Sequence, residues 1–151
     1  PNATGSGAML VLDASILVKL FRDEPDSHLA RTAVEHCADH GVRLLAPGLA
    51  LYEVLAVALH YEVPFDIPIR LIEDLKQTGF ALLEPAPEEL RKAEAIATTK
   101  EGARGFPGLE DSIYHAMAVI RGGTFLTADR RHFERAGAFG SIRLLSDWAP
   151  E

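Results

Sequence analysis

MLVLDASILVKLF, residues 9–21, changes its period partway along. Met9 to Leu12 form a short continuous apolar run, suited to a buried strand, and Asp13 ends it. From Ala14 onward the spacing turns helical, with Ile16, Leu17, Leu20 and Phe21 on one face. The rest of the chain repeats this alternation. VRLLAP (42–47), FALLEP (80–85), TFLTAD (124–129) and IRLL (142–145) read as further strands. Helices are predicted between them: one opened by Pro25 and closed by Gly41, then LALYEVLAVAL (49–59), IPIRLIEDLKQTG (67–79), PEELRKAEAIATTKEG (87–102), LEDSIYHAMAVIRGG (109–123) and DRRHFERAG (129–137). Strands alternating with helices imply an α/β fold of three layers, a parallel sheet with helices on both faces. Such sheets place their sites beyond the carboxyl ends of the strands.

Composition narrows the class. With 151 residues the chain suits one domain with a substantial core, and 48% hydrophobic with 25% charged residues is ordinary for a globular protein. The lone Cys37 permits no internal disulfide and reads as a small buried hydrophobe, fitting a reducing, cytoplasmic setting. Glu53, His60 and Glu62 interrupt the longest apolar stretch, so no membrane span is expected. Residues 1–8, PNATGSGA, have neither a basic start nor an apolar centre; they are expected to be an appended remnant, with the domain running over 9–151. A net charge of −7 argues against general charge-driven binding of nucleic acid, while allowing a local basic patch beside an acidic cleft.

Two predicted strands finish on an aspartate, VLD at Asp13 and FLTAD at Asp129. If those strands are neighbours, both carboxylates lie at one edge of the sheet. Glu53 is the one charge in LALYEVLAVAL, a stretch apolar enough to predict a helix buried on most of its circumference. A carboxylate there needs a partner. Asp111 sits near the start of the helix leading into the strand that ends at Asp129, where a helix favours an acid. Converging acids repel by about 4 kcal/mol per pair at ~4 Å and an effective dielectric near 20. A hard divalent ion would relieve that repulsion, and oxygen-only ligation suggests Mg²⁺ or Mn²⁺ and phosphate chemistry. Plainer explanations stand beside this one. Asp13 and Asp129 could cap helices, Asp111 could be a first-turn acid, and Glu53 could pair with Arg43 or Lys19.

LDASILVKLF, LALYEVLAVAL, LEDSIYHAMA and FLTADRRHFE together resemble the PIN domain family, and within it the VapC-type ribonuclease toxins of toxin–antitoxin pairs. The resemblance runs through nearly the whole chain from Met9. It implies a five-stranded parallel sheet in the order 3-2-1-4-5 and a site of metal-binding acids matching Asp13, Glu53, Asp111 and Asp129. Ser15 matches the family's small hydroxyl residue two after the first acid, and Thr127 its threonine two before the last. Both would orient water or phosphate oxygens. The activity implied is Mg²⁺- or Mn²⁺-dependent cleavage of single-stranded RNA by a homodimer, with a cognate antitoxin entering the cleft. Glu110 competes with Asp111 for the third position; Asp111 is preferred because Ala116 and Met117 then match the family's small helix residues. Ser112, Tyr114 and His115 are bulkier or more polar than that pattern. Arg104, Arg130 and Arg131 are candidates for steering the RNA backbone, and His115 for lining the cleft.

Other readings fare less well. His36 and His40 have the i, i+4 spacing of a zinc helix, but the glutamate that the metalloprotease pattern sets beside the first histidine is missing. GARGFPG (102–108) lacks the Lys-Ser/Thr of a phosphate-binding loop. A phosphoaspartate phosphatase would want an aspartate where Ser15 stands. A receiver domain would want a lysine after the fifth strand, and IRLLSDWAPE has none. A catalytically inert interaction module of the same fold is the remaining alternative.

Overall fold

A computed structural model of the chain describes residues 8–100 and 105–149. Arg104 and residues 1–7 lie outside the described residues. The strands are β1 (Met9–Leu12), β2 (Arg43–Pro47), β3 (Ala81–Leu83), β4 (Thr124–Thr127) and β5 (Ile142–Leu144). The helices are α1 (Ala14–Phe21), α2 (Ser27–His40), α3 (Leu49–His60), α4 (Asp66–Gln77), α5 (Pro87–Ala97), α6 (Leu109–Arg121) and α7 (Arg130–Ala136). All four strand pairings are parallel, and the order is β3-β2-β1-β4-β5. The chain therefore has the α/β fold and strand order expected of it.

The central strands read as apolar runs because both of their faces are covered. Val11, Leu12, Phe125 and Leu126 are fully buried. Leu12 of β1 stands opposite Leu126 of β4, and the Asp13 N–H continues the ladder to the Leu126 carbonyl at 3.0 Å. That register brings the end of β1 alongside the end of β4.

Besides the helix expected over 87–102, which ends at Ala97 in the structure, two predicted elements differ. Pro25 does not open α2, which begins at Ser27. Lys19 and Arg22 both bind Glu24, at 2.8 and 2.7 Å, and the Ser27 hydroxyl accepts from the Glu24 N–H while donating to the Arg22 carbonyl. The turn between α1 and α2 is closed by this network before the helix starts. The second difference is α3. Only Ala50, Val54 and Ala58, one stripe at i, i+4, i+8, are buried, while Tyr52 and Leu59 are about 70% exposed (71% and 69%). Uniform hydrophobicity therefore marks a helix with a second apolar face turned outward, and Tyr61, Phe65, Ile67 and Ile69, which follow in sequence, are also exposed.

Helices α5 and α6 are joined through a buried ion pair. Glu89 is 2% exposed, accepts from the Ala86 N–H at 2.8 Å, and takes Arg121 Nε and Nη2 at 2.6 and 3.0 Å. Glu89 thereby fastens α5 to the helix that carries Asp111.

At the amino edge of the sheet, Gly123 passes close to β1. A Cβ there would lie 2.8 Å from the Met9 carbonyl oxygen and 3.1 Å from Met9 Cβ. The backbone has to move to accept it. Gly123→Ala is expected to destabilise the protein by about 1–3 kcal/mol, read as a lowered midpoint in urea unfolding, although alanine is the better residue for most backbones. An unchanged midpoint would show that β1 and β4 can part at no cost.

Candidate active site

Asp13 is 6% exposed at the carboxyl end of β1. It occupies the cap position of α1, yet its side chain makes no capping bond. Instead Oδ2 accepts from Thr127 Oγ1 at 2.5 Å and from Ser15 Oγ at 3.0 Å. The two hydroxyls are held in turn. Thr127 Oγ1 accepts from the Asp129 N–H at 3.0 Å, and Ser15 Oγ from the Ala128 N–H at 3.4 Å. Both hydroxyl protons are thus committed to Asp13, and the end of β4 is tied to the start of α1.

Asp129 does cap its helix, its Oδ1 accepting from the Arg131 and His132 N–H groups at 2.9 and 3.2 Å. The plain reading of this residue holds, and it is compatible with a second role for the carboxylate. Asp111 lies in the first turn of α6, which runs antiparallel to the strands and so begins at their carboxyl edge. Glu53 is the fifth residue of α3, just over one turn from the end of β2. It is half-buried, and Tyr114 donates its hydroxyl proton to Oε1 at 2.5 Å. Lys19, one of the cations first considered as its partner, binds Glu24 and Asp26 instead, both at 2.8 Å.

These carboxylates act on one another. Burial is the main influence raising the Asp13 carboxyl above its ordinary value, opposed by the Thr127 and Ser15 hydrogen bonds and reinforced by Asp129. Burial also raises Glu53, against the Tyr114 hydrogen bond, with Asp13 and Glu110 adding to the rise. Asp111 is pushed up to about 7, by burial first and then by Asp13, Asp129 and Glu53. Asp111 feels the charges of Asp13, Asp129 and Glu53, and the exposed Glu110 acts on Glu53. Four acids from four separate segments therefore share one electrostatic neighbourhood at the carboxyl edge of the sheet.

Among the described residues, no three His, Cys, Asp or Glu side chains form a ready-made metal cage. The donor set nevertheless fits Mg²⁺ or Mn²⁺. Such ions take oxygen ligands and complete their coordination with water and phosphate, so one or two carboxylates suffice. Burial and neighbouring carboxylates raise Asp13, Glu53 and Asp111, and a bound cation would oppose both influences.

The remaining predicted residues are distributed around this edge. Arg130 and Arg131 are exposed at the start of α7, with no ion pair to a described residue. His115 is fully buried and packed, its Nε2 donating to the Gly140 carbonyl at 2.7 Å, so it lines no cleft. His36 and His40 stack on each other with ring centroids 4.0 Å apart, and His36 meets Trp148 edge-on. Tyr114 is the residue that sequence reasoning passed over. A phenol inside a buried helix needs a partner for its hydroxyl, and one turn beyond Asp111 the acids are the partners at hand. That was the available signal.

Comparison with known proteins agrees with this architecture. The PIN domain profile matches residues 10–138. Among solved structures, the chain is similar to the PAE2754 protein of Pyrobaculum aerophilum, with a TM-score of 0.61 and 19% identity over 95% of this chain and 93% of that one. It is also similar to VapBC2 of Rickettsia felis, determined bound to a DNA fragment from its promoter, with a TM-score of 0.66 and 15% identity over 90% of this chain and 96% of that one. No curated protein matches the chain. The chain belongs to the PIN domain family, whose members are generally nucleases.

The raised Asp111 pKa has a definite sign. A carboxyl whose value is about 7 when folded and 3.8 otherwise contributes its full stability below pH 3.8 and loses it as pH rises through 7. Asp111→Asn imitates the protonated form at every pH. Without metal, the variant and the wild type are expected to melt alike near pH 4, and the variant is expected to melt higher near pH 8. Melting curves across that range check this; a gap that fails to widen would mean that neither burial nor the neighbouring acids oppose ionisation of Asp111.

Proposed function

We propose that the chain is a VapC-type endoribonuclease, the toxin of a toxin–antitoxin pair, hydrolysing phosphodiester bonds of single-stranded RNA in the cytoplasm with Mg²⁺ or Mn²⁺. The observation that carries this reading is the convergence of four acids from four segments at the carboxyl edge of a PIN domain sheet, where Asp13, Asp129 and Glu53 all act on Asp111.

In this reading Asp13, Glu53, Asp111 and Asp129 hold the ion. A bound Mg²⁺ or Mn²⁺ would polarise a phosphoryl oxygen and lower the pKa of an attacking water. Thr127 and Ser15 hold the Asp13 carboxylate in one orientation through Oδ2, so they serve the reaction through Asp13. The N-terminus of α7 holds Asp129. Arg130 and Arg131 steer the phosphate backbone, and Arg104 is assigned the same role from sequence. With a net charge of −7 the molecule repels RNA at long range, so a particular RNA has to be selected at the site.

Cleavage of single-stranded and structured RNA by wild type and Asp13→Asn, in Mg²⁺ and in EDTA, tests this. Wild type is expected to cut single-stranded RNA in Mg²⁺ alone. The variant is expected to fall by about 100-fold or more, the scale of losing a few kcal/mol of charge stabilisation. Equal cutting by both proteins would point to a contaminating nuclease. No cutting by either, with no Mn²⁺-dependent rise in melting temperature, would favour the inert module.

The partners follow from the same reading. An antitoxin is assigned by analogy with the VapBC2 complex. A second copy of the chain is assigned to the outward face of α3. Along Leu49–Tyr61 the one acid, Glu53, is turned inward onto Tyr114, so two copies can meet there without opposing carboxylates. Leu59→Glu is expected to convert a dimer to a monomer in light-scattering mass measurements; a wild-type monomer at micromolar concentration would exclude this assignment.

A further inference from the structure

Tyr114 is placed as a fixed donor between two of the acids. It is fully buried on α6, three residues after Asp111 and therefore on the same side of the helix. Its ring stacks on Phe125 of β4, with centroids 5.5 Å apart and planes within 20°. Phe125 is itself pinned in the sheet, paired with Val11 on one side and Ile142 on the other. The phenol thus has no freedom except rotation of its O–H bond. That proton goes to Glu53 Oε1, a residue 61 positions away on another helix. The Ala14 N–H, next to Asp13, acts on the same phenol oxygen.

Glu53 needs such an anchor. It has three side-chain torsions and stands on a helix otherwise made of apolar residues and one terminal histidine. Among the described residues its side chain makes no other hydrogen bond. Ordering a glutamate costs about 1.5–2 kcal/mol of rotamer freedom, which a free side chain would have to meet each time it bound an ion. The phenol meets that cost in advance and engages one oxygen, leaving Oε2 outside the hydrogen bond. A carboxylate oxygen can only accept, so the phenol is the donor of this pair.

We propose that Tyr114 is a positioning residue, whose hydroxyl holds Glu53 in place beside the other acids and thereby sets how tightly the site binds a divalent ion. This rests on the reading of the four acids as a divalent-ion site.

The test is Mn²⁺ binding, measured by electron paramagnetic resonance of free Mn²⁺, for wild type, Tyr114→Phe, Glu53→Gln and the double variant, with metal-free melting temperatures alongside. Removing one oxygen from a residue stacked in the core leaves the packing in place, and circular dichroism verifies it. Tyr114→Phe is expected to weaken Mn²⁺ binding by about tenfold, the usual range for a residue that orients a ligand. In the Glu53→Gln background the same change is expected to have no further effect, because the phenol acts through Glu53. Unchanged affinity in Tyr114→Phe, with affinity lost in Glu53→Gln, would overturn the positioning role and leave the divalent-ion site standing. Equal weakening by Tyr114→Phe in both backgrounds would overturn it too, since the effect would then bypass Glu53. A wild type that binds no Mn²⁺ at millimolar concentration would remove the site and this role together.

Discussion

Mutual repulsion among buried and half-buried carboxylates is the constraint around which this end of the molecule is organised. The parallel sheet sets Asp13 and Asp129 at the ends of neighbouring strands, and the helices that begin at the same edge add Glu53 and Asp111. Burial withdraws water from all of them and strengthens every pairwise term. A fold that stability alone had shaped would hardly gather four such groups, because a neutral residue at any of these positions would relieve the others. The acids are tolerated because the scaffold supplies local donors, and because their shared field suits a cation from outside.

The donors are distributed unevenly. Asp13 has two hydroxyls on one oxygen, each backed by a main-chain N–H from the end of β4. Asp129 has the first N–H groups of α7, and Glu53 has a phenol. Asp111 has the least help: its carboxyl hydrogen bond with Asp129 favours the protonated form, and three neighbouring charges oppose its ionisation. It is the acid whose charge state depends most on the others. A divalent ion would change that group more than any other, which makes Asp111 the natural reporter of occupancy.

Much of this was legible from sequence for a physical reason. Parallel strands buried on both faces leave continuous apolar runs, and an aspartate closing such a run is conspicuous, so Asp13 and Asp129 stand out without coordinates. Glu53 was conspicuous by contrast with its neighbours. What sequence concealed was direction. The same apolar surroundings that exposed Glu53 to notice suggested that α3 was buried nearly all round, whereas only the Ala50, Val54 and Ala58 stripe is buried, with α3 packing chiefly against α1 and α4. A helical pattern that is apolar on every side carries no information about which side faces the core. Tyr114 was hidden for the opposite reason: in a helix of buried residues its ring reads as packing, and its hydroxyl has meaning only once α3 is set beside α6. Glu89 is hidden in the same way: in sequence it is an ordinary first-turn acid, and its partner Arg121 lies on another helix.

Two of the cations that could in principle have neutralised the acid cluster are held elsewhere. Lys19 is taken up by Glu24 and Asp26, and Arg121 by Glu89. The histidines nearest the acids in sequence are His115 and His132, whose rings meet at 3.0 Å in the core. Gly140 offers only a carbonyl, so His115 Nε2 carries a proton and donates it. A neutral His115 then accepts at Nδ1, which makes His132 Nε2 the donor and leaves His132 Nδ1 as a bare buried acceptor without a partner among the described residues. Burial lowers both pKa values, that of His132 to about 4, so neither ring carries charge near neutral pH. The pair joins α6 to α7, the helix that carries Asp111 to the helix that Asp129 caps, and it does so without adding a positive charge to the region. Firm spacing of the acids and an unmet demand for positive charge thus arise from the same arrangement, and a small external cation is the species that satisfies both.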